Sequence, residues 1–289
     1  MAQRGLFVGL VTLDFIYLIE QLPDRNQKIV ALDYTLAAGG PATNAAIACS
    51  YLGQSVTLLG VLGCHPLSNL ICTDLQQWGV TLIDLNSSHT EPPPTSSIFV
   101  TQATAERAVV SINARRSQAS ATALPDHILQ DVGVVLIDGH QMAVGQAIAQ
   151  AANAQQIPVV LDGGSWKAGL ELVLPYVDFA ICSANFYPPS CQTQTEVVAY
   201  LKSQGISDIA ITQGDRPIQF CSQDTSGQVA VPTVQAVDTL GAGDMLHGAF
   251  CHYIQHLPFL EALKQATAVA SQSCQWFGTR RWMSEAVLS

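Results

Sequence analysis

The sequence lacks several features that would define its class at once. No apolar run approaches the roughly 20 residues that a membrane-spanning helix needs. No G-x-x-x-x-G-K-S/T motif occurs, which argues against a P-loop nucleotide fold. The eight cysteines form no C-x-x-C pair, so we interpret them as reduced, mostly buried thiols and not as a disulfide framework. Positive charge is scarce: 12 Lys and Arg face 22 Asp and Glu, and the net charge of −10 disfavours nucleic acid and anionic membranes as partners.

What the sequence does contain is apolar: 48% of its 289 residues are hydrophobic, enough for a large core. The N-terminal segment reaches a polar residue early, at Asp14, and has no small-residue cleavage site. We therefore interpret it as a first core strand and not as a signal peptide, and we expect a cytoplasmic protein.

Short apolar runs alternate with helical stretches over most of the chain, which predicts an α/β fold with a mostly parallel sheet flanked by helices. The predicted strands are 6–11, 56–61, 134–138, 159–162, 177–182 and 209–212. The predicted helices are 42–52, 67–78, 142–155 and 195–203. Ligands bind beyond the carboxyl ends of such strands, although polar residues there also simply begin loops. The residues at those ends are Asp14, Asp138, Asp162 and Thr212.

Two stretches break this alternation. Residues 27–36 look like a strand with no helix after the strand before them, and 96–102 with 107–113 look like a hairpin turning at 103–106. Together they predict a small sheet, built from about 12–38 and 95–116. The sequence equally allows a lid over the strand ends or an extension of the main sheet.

The most specific motif is D-T-L-G-A-G-D at 238–244, followed by an apolar helical segment at 245–255. The first amides of a helix have no intrahelical acceptor, so they suit a phosphoryl group. An acidic side chain at the same place, Asp244, is able to take a proton from an attacking hydroxyl. A glycine turn with Asp244 as a plain helix cap is the alternative.

A second motif, A-G-G-P-A-T-N-A-A, occupies 38–46 and leads into a predicted helix with Pro41 near its start. Asn44 lies about one turn in, from where it can point back past the bare glycines at a polar ligand. Close packing of helix on sheet would also favour these small residues.

These two segments resemble the N-terminal and C-terminal motifs of the ribokinase-like, or PfkB, carbohydrate kinases. The resemblance covers nearly the whole chain and is closest to the ketohexokinase and fructokinase branch. It implies one kinase domain over 1–289, with a ribokinase-like central sheet and a small β-sheet lid. It also implies ATP, Mg²⁺ and a monovalent cation such as K⁺, a small sugar acceptor such as the ketose fructose, and a homodimer formed through the lid.

The resemblance also implies a role for individual residues. Asp244 would be the catalytic base, and Gly241, Ala242 and Gly243 would form the anion hole. The substrate-binding positions would be Asp14, Gly39, Gly40, Asn44, Asp238 and His140. The nucleotide-binding positions would be Asn185, Thr212, Gly214 and Gly243, with 266–278 on the adenine side.

The sequence departs from the family pattern where a metal would be held. Pro188 stands where the family often has a glutamate that helps to hold magnesium, so no metal ligand is assigned. Arg115 and Arg116 keep a sugar phosphate open as the acceptor, because paired arginines suit a second phosphate. The sequence also leaves open a nucleoside as the acceptor, or a non-catalytic sugar or nucleotide sensor on the same fold.

Overall fold

The structure is a computed structural model that describes residues 3–223 and 225–285. In this part of the chain, nine strands form one sheet in the order β13-β12-β11-β10-β9-β8-β1-β4-β5. Its strands are β1 (Arg4–Val8), β4 (Val56–Gly60), β5 (Val80–Asp84), β8 (Val132–Ile137), β9 (Val159–Gly163), β10 (Phe179–Ser183), β11 (Asp208–Gln213), β12 (Arg216–Ser222) and β13 (Thr225–Val229). All neighbours from β5 to β11 pair in parallel, and the last two pairings are antiparallel.

Helices cover both faces of this sheet, which explains why the central strands are buried on both sides. The helices are α1 (Pro41–Tyr51), α2 (Ser68–Gln77), α3 (Met142–Ala154), α4 (Gln194–Ser203), α5 (Ala242–Tyr253), α6 (Phe259–Ser273) and α7 (Arg281–Glu285). One apolar core contains residues of α1, α2, α5 and α6, and the other contains residues of α3 and α4. No helix in the described part of the chain has the length and apolar character to cross a membrane.

The contact between α1 and α5 is unusually close. A Cβ atom on Gly248 would lie 2.2 Å from the carbonyl oxygen of Ala45, so only glycine allows this approach. The two motifs singled out in the sequence begin these same two helices. Their close packing therefore brings together segments about 200 residues apart.

A separate four-stranded sheet has the order β3-β2-β6-β7. Its strands are β2 (Thr12–Ile19), β3 (Asp33–Gly39), β6 (Thr95–Thr101) and β7 (Arg107–Ser111). β2 pairs antiparallel with β3 and parallel with β6, and β6 forms a hairpin with β7. The small sheet is therefore its own layer, and the interpretation as an extension of the main sheet is wrong.

The predicted α/β architecture is confirmed, and its predicted strands and helices are present within a few residues. The strand predicted at 27–36 begins later than expected, because 21–32 contain no strand and β3 begins at Asp33. The apolar residues there suggested a strand, yet Val30 is 85% exposed and the segment pairs with no strand. β1 also ends three residues early, at Val8, and the chain then turns into β2.

All eight cysteines are free. Four are buried, and Cys64 is exposed. The interpretation as reduced thiols agrees with this, while the expected burial holds for half of them.

Candidate active site

A cavity of about 780 Å³ lies between the inner face of the small sheet and the carboxyl-end edge of the main sheet. It is where ligands bind in open parallel sheets. Five of the residues predicted for the site line it together: Asp14, Gly40, Asn44, His140 and Asp244.

Asp244 lies in the first turn of α5, directly after the left-handed turn residue Gly241 (φ 74°). Its Oδ2 accepts a hydrogen bond from Asn44 Nδ2 at 2.8 Å. Burial raises the pKa of Asp244 to about 7, and the negative charge of Asp162 adds to the rise. The bond from Asn44 and the charges of His247 and Arg107 oppose it. A carboxylate with this pKa suits a general base at neutral pH.

The start of α5 presents free backbone amides beside this carboxylate. The first helical hydrogen bond is donated by Met245 N to Gly241 O at 2.8 Å, so the amides of Gly243 and Asp244 precede it. Gly243 is exposed, and a Cβ atom there would meet no atom within 4 Å. Of the three predicted anion-hole residues, Gly243 thus has open space in front of it, whereas Ala242 N donates to Thr239 O at 3.4 Å and a Cβ atom on Gly241 would lie 3.0 Å from Thr279 Cγ2.

His247 contacts the backbone at the start of this helix, and no sequence motif indicated it. Its ring nitrogens lie 2.7 Å from Gly243 O and 3.0 Å from Ile181 O, and Nδ1 is 3.6 Å from Asp162 Oδ2. The ring thereby links the start of α5 to β10 and lies beside Asp162 on β9. The signal was its position four residues after Gly243, on the face that turns toward the sheet.

Asp14 is the polar residue of the cavity best placed to bind a hydroxyl. It is 6% exposed, and within the described residues its Oδ1 has no hydrogen-bond partner. Burial raises its pKa to about 6. A Cβ atom on Gly39 would lie 1.9 Å from Asp14 Oδ2, so the glycine makes room for this carboxylate. A buried carboxylate with one unpartnered oxygen beside a cavity is suited to a sugar hydroxyl.

Two other predicted substrate residues have different surroundings. Asp238 lies outside the cavity lining, and its oxygens accept from Leu240 N at 2.8 Å and Gly278 N at 2.9 Å. His140 lines the cavity, and burial lowers its pKa, which favours the neutral ring.

Asp138, which the sequence only placed at a strand end, organises the floor of the cavity. Its Oδ2 accepts from Leu10 N at 2.9 Å and Ala42 N at 3.2 Å, and its Oδ1 accepts from His140 N at 2.8 Å. One carboxylate thereby binds the loop at Leu10, the first turn of α1 and the loop at His140.

Three of the predicted nucleotide residues lie at the ends of β10 and β11, at the same edge of the sheet, and the fourth, Gly243, begins α5; none of them lines the 780 Å³ cavity. Thr212 Oγ1 donates to Cys182 O at 3.4 Å, Asn185 N donates to Ser183 Oγ at 3.1 Å, and Gly214 is exposed. Residues 266–278 form the end of α6 and the loop that Asp238 binds. The nucleotide roles of these residues stay predictions.

Comparison with known proteins decides the family. The sequence model described as "pfkB family carbohydrate kinase" matches residues 3–286. The chain belongs to this family. As a pfkB carbohydrate kinase it is a phosphotransferase that acts on sugars.

Individual relatives of this pfkB chain are distant but cover its full length. A deoxyribokinase from Salmonella typhi is 24% identical, over 94% of this chain and 93% of the relative. The structure of Arabidopsis thaliana ribokinase complexed with ribose and ATP has a TM-score of 0.75 and 22% identity, over 96% and 94% of the two chains. The structure of a putative ribokinase II from E. coli, in complex with ATP and Mg²⁺, has a TM-score of 0.77 and 19% identity, over 99% and 98% of the two chains. These structures confirm the ribokinase-like fold.

The expected closeness to the ketohexokinase and fructokinase branch finds no specific support. The relatives are mainly ribokinases and deoxyribokinases, and a ketohexokinase from Mus musculus is 21% identical over 93% of this chain and 95% of the relative. The family is thus established, while the branch is not.

Proposed function

We propose that this protein transfers the γ-phosphoryl group of ATP to a hydroxyl of a small sugar, with Mg²⁺ accompanying the nucleotide. The observation that carries the proposal is Asp244, a carboxylate with a pKa near 7 at a helix start that opens into the cavity. The names of the relatives, which include ribokinases and deoxyribokinases, support the same reaction.

In the proposed reaction, Asp244 accepts the proton of the attacking hydroxyl. Asn44 occupies Oδ2, and within the described residues Oδ1 has no partner, which leaves it to face the hydroxyl. The amides at the start of α5 stabilise charge on the transferring group. The small sheet covers the sugar as a lid, which would limit hydrolysis by water. Phosphoryl transfer needs mainly this positioning and charge neutralisation.

Magnesium fits this site as a companion of the phosphates. Among residues 3–223 and 225–285, no group of three or more His, Cys, Asp or Glu is arranged to hold a metal ion. Mg²⁺ commonly keeps several waters and is held largely by substrate phosphates, so a dedicated cage is not required. When bound it supplies positive charge to the phosphate oxygens. A monovalent cation stays a prediction of the resemblance alone.

The acceptor we propose is a neutral monosaccharide, with the ketose fructose as the first compound to test and ribose and deoxyribose beside it. Asp14 and the neutral form of His140 offer polar groups that suit hydroxyls. A buried site of this kind discriminates against substrates that leave its polar groups unpaired.

A sugar phosphate is a second candidate for the acceptor, because basic side chains line the cavity. Three of the chain's 12 Lys and Arg residues line it: Arg107, Arg115 and Lys167. Gln118 Nε2 donates to Ala114 O at 2.8 Å and His140 O at 2.7 Å, which joins the segment before Arg115 to the loop beside Lys167. Arg116, the other member of the predicted pair, lines a different, smaller pocket. Arginine and lysine side chains that line a cavity suit a phosphate.

ADP release with a panel of acceptors tests the proposed function. We expect kcat/KM for fructose to exceed the values for adenosine and fructose 6-phosphate by about tenfold or more, because one unpaired buried polar group costs about 1–3 kcal/mol. Ribose and deoxyribose in the same panel decide between a ketose and a pentose. If fructose 6-phosphate is preferred and Lys167→Met abolishes that preference, the acceptor is a sugar phosphate and not a neutral sugar. The proposed kinase activity would then stand. No ADP release with any acceptor would favour the sensor.

A homodimer through the small sheet is also proposed. Alternate residues of a strand share a face, and the strand register puts six side chains on the outer face of this sheet. They are Phe15, Tyr17, Tyr34, Leu36, Phe99 and Val110. Tyr34 and Val110 are 65% and 70% exposed, and the Tyr17 and Phe99 rings stack at 5.9 Å. An exposed apolar patch of this kind is typical of an interface.

We expect light scattering to give twice the chain mass of 30.8 kDa, and Val110→Glu to reduce it to the monomer, because a charge would be buried in the interface. Leu172→Glu is the control, since Leu172 is also about half exposed but lies outside the small sheet. A wild-type protein that is monomeric at micromolar concentration would rule this dimer out.

A further inference from the structure

Arg280, which follows the loop after α6, is a cation that neither the sequence motifs nor the proposed mechanism uses. Its side chain is 14% exposed, and its guanidinium contacts the adjacent Thr279 and three separate segments. Nη2 lies 3.2 Å from Asp74 Oδ2 on α2 and also donates to Ala38 O on β3. Nη1 donates at 3.0 Å to Thr279 Oγ1 and at 3.0 Å to Asn44 Oδ1 on α1.

The bond from Arg280 fixes which way the Asn44 amide points. Arginine only donates, so the Asn44 oxygen must face Arg280. The Asn44 nitrogen is then directed at Asp244 Oδ2, to which it donates at 2.8 Å. If the amide turned over, its oxygen would face a carboxylate, and two acceptors would meet. The arginine therefore determines that Asp244 receives a hydrogen bond.

Asp74 ties the same group to the small sheet. Its Oδ2 accepts from Ala38 N at 2.8 Å and from Arg280 Nε at 3.3 Å. Both backbone polar groups of Ala38 are thus held by the Asp74–Arg280 pair. Ala38 precedes Gly39 and Gly40, so the pair joins the base of the small sheet to Asn44.

We infer that Arg280 is a positioning residue for the phosphoryl transfer: it orients Asn44, and through Asn44 it holds the Asp244 carboxylate in place and favours its charged form. The inference rests on the proposed function, because Asp244 is the base of the proposed reaction. Asp74 anchors the arginine, and the contact with Ala38 makes the orientation depend on the position of β3. The chain of contacts runs Asp74, Arg280, Asn44, Asp244.

Charge acts in the same direction as geometry. The charged groups that affect Asp244 are Asp162 on β9, His247 on α5 itself and Arg107 on β7, and Asp244 and Asp14 both interact with the Arg280 charge. A positive charge favours the ionised carboxylate, and so does a donated hydrogen bond. Without Arg280, the pKa of Asp244 should rise, and a larger share of Asp244 would be protonated near pH 7.

Arg280→Gln and Arg280→Lys separate the two contributions, with Arg281→Gln as the matched control. Arg281 is the adjacent residue, its side chain is 54% exposed, and its nearest carboxylate oxygen, on Asp33, is 3.8 Å away. We expect Arg280→Gln to lower kcat about tenfold or more, to leave KM for ATP within about twofold, and to move the acid limb of the kcat profile to higher pH. A loss of about 1.4 kcal/mol in transition-state stabilisation corresponds to that tenfold change.

Arg280→Lys keeps the charge but not the planar fork of the guanidinium. We therefore expect a lowered kcat, with the acid limb of the pH profile near its wild-type position. Arg281→Gln should behave as wild type.

The pKa of Asp244, followed by NMR of the ¹³C-labelled carboxyl group, gives a readout that does not need catalysis. We expect it to be higher in Arg280→Gln than in the wild type. If Arg280→Gln does not fold, the lowered kcat of Arg280→Lys with unchanged KM for ATP carries the test. A folded Arg280→Gln protein with wild-type kcat, pH limb and Asp244 pKa would overturn the inference. Absent activity in the wild type, with the pKa shift still present, would instead reject the proposed function alone.

Discussion

Replacing Asp244 by asparagine is expected to lower kcat by about 10²- to 10⁴-fold, because an amide cannot take the proton of the attacking hydroxyl. The fold should persist, since asparagine has the same shape and its oxygen still accepts from Asn44 Nδ2. ATP binding should also persist, because the backbone amides at the start of α5 are unchanged. Steady-state ADP release and ATP titration by calorimetry measure the two quantities.

Asp126→Asn is the matched control, because Asp126 is an exposed carboxylate that does not line the cavity. The wild-type pH profile is a second check. Asp244 has a raised pKa of about 7, so it is protonated below that pH and charged above it. Activity should therefore fall as the pH decreases through about 7. Turnover of Asp244→Asn within a few-fold of the wild type would remove this residue from the mechanism.

Removing divalent metal with EDTA is expected to lower turnover by at least about 100-fold, because a metal stabilises the charge of the transferring group by several kcal/mol. Three cations line the cavity, Arg107, Arg115 and Lys167, and side-chain charge alone does not replace a metal bound to the phosphates. Pro188 does not change this expectation, since the metal is proposed to arrive with the nucleotide. ADP release before and after chelation measures the effect.

Adding excess MgCl₂ back to the same sample is the control, and it should restore the original rate. Calorimetry of the nucleotide-free protein with MgCl₂ should show weak binding, because the described residues contain no acidic cluster. Full activity in EDTA would contradict the metal dependence. Tight binding of Mg²⁺ without nucleotide would contradict the way in which we propose that it is held.

The parts of the fold and site that the sequence predicted are those encoded locally. Short buried strands such as β8 read as continuous apolar runs, and a glycine turn followed by small residues marks the start of α5. β12 and β13 were missed because most of their residues are exposed, so no apolar run indicates them. β13 in particular has one buried residue in five. At residues 27–32 the sequence predicted a strand that does not form, because apolar residues without a neighbouring strand to pair with make no strand.

The environment of each site residue could not be predicted, because it depends on contacts between distant segments. Asn44 was correctly singled out, but its amide is held by Asp244 and Arg280, 200 and 236 residues away. His247 and Asp138 lie outside the two main sequence motifs, yet each binds backbone groups of two or more separate segments. Their importance follows from which loops the packing brings beside them.

The close contact of α1 with α5 has a consequence for how the chain is made. During synthesis α1 emerges early, yet the helix it packs against is some 200 residues behind it. Eight of the eleven residues of α1 are buried in the finished protein, and until α5 follows, part of that surface has no cover. Contacts of such long sequence separation form slowly and leave a nascent chain prone to association. The protein is therefore the kind of chain for which assistance on the ribosome matters, and no N-terminal fragment of it would contain a complete active site.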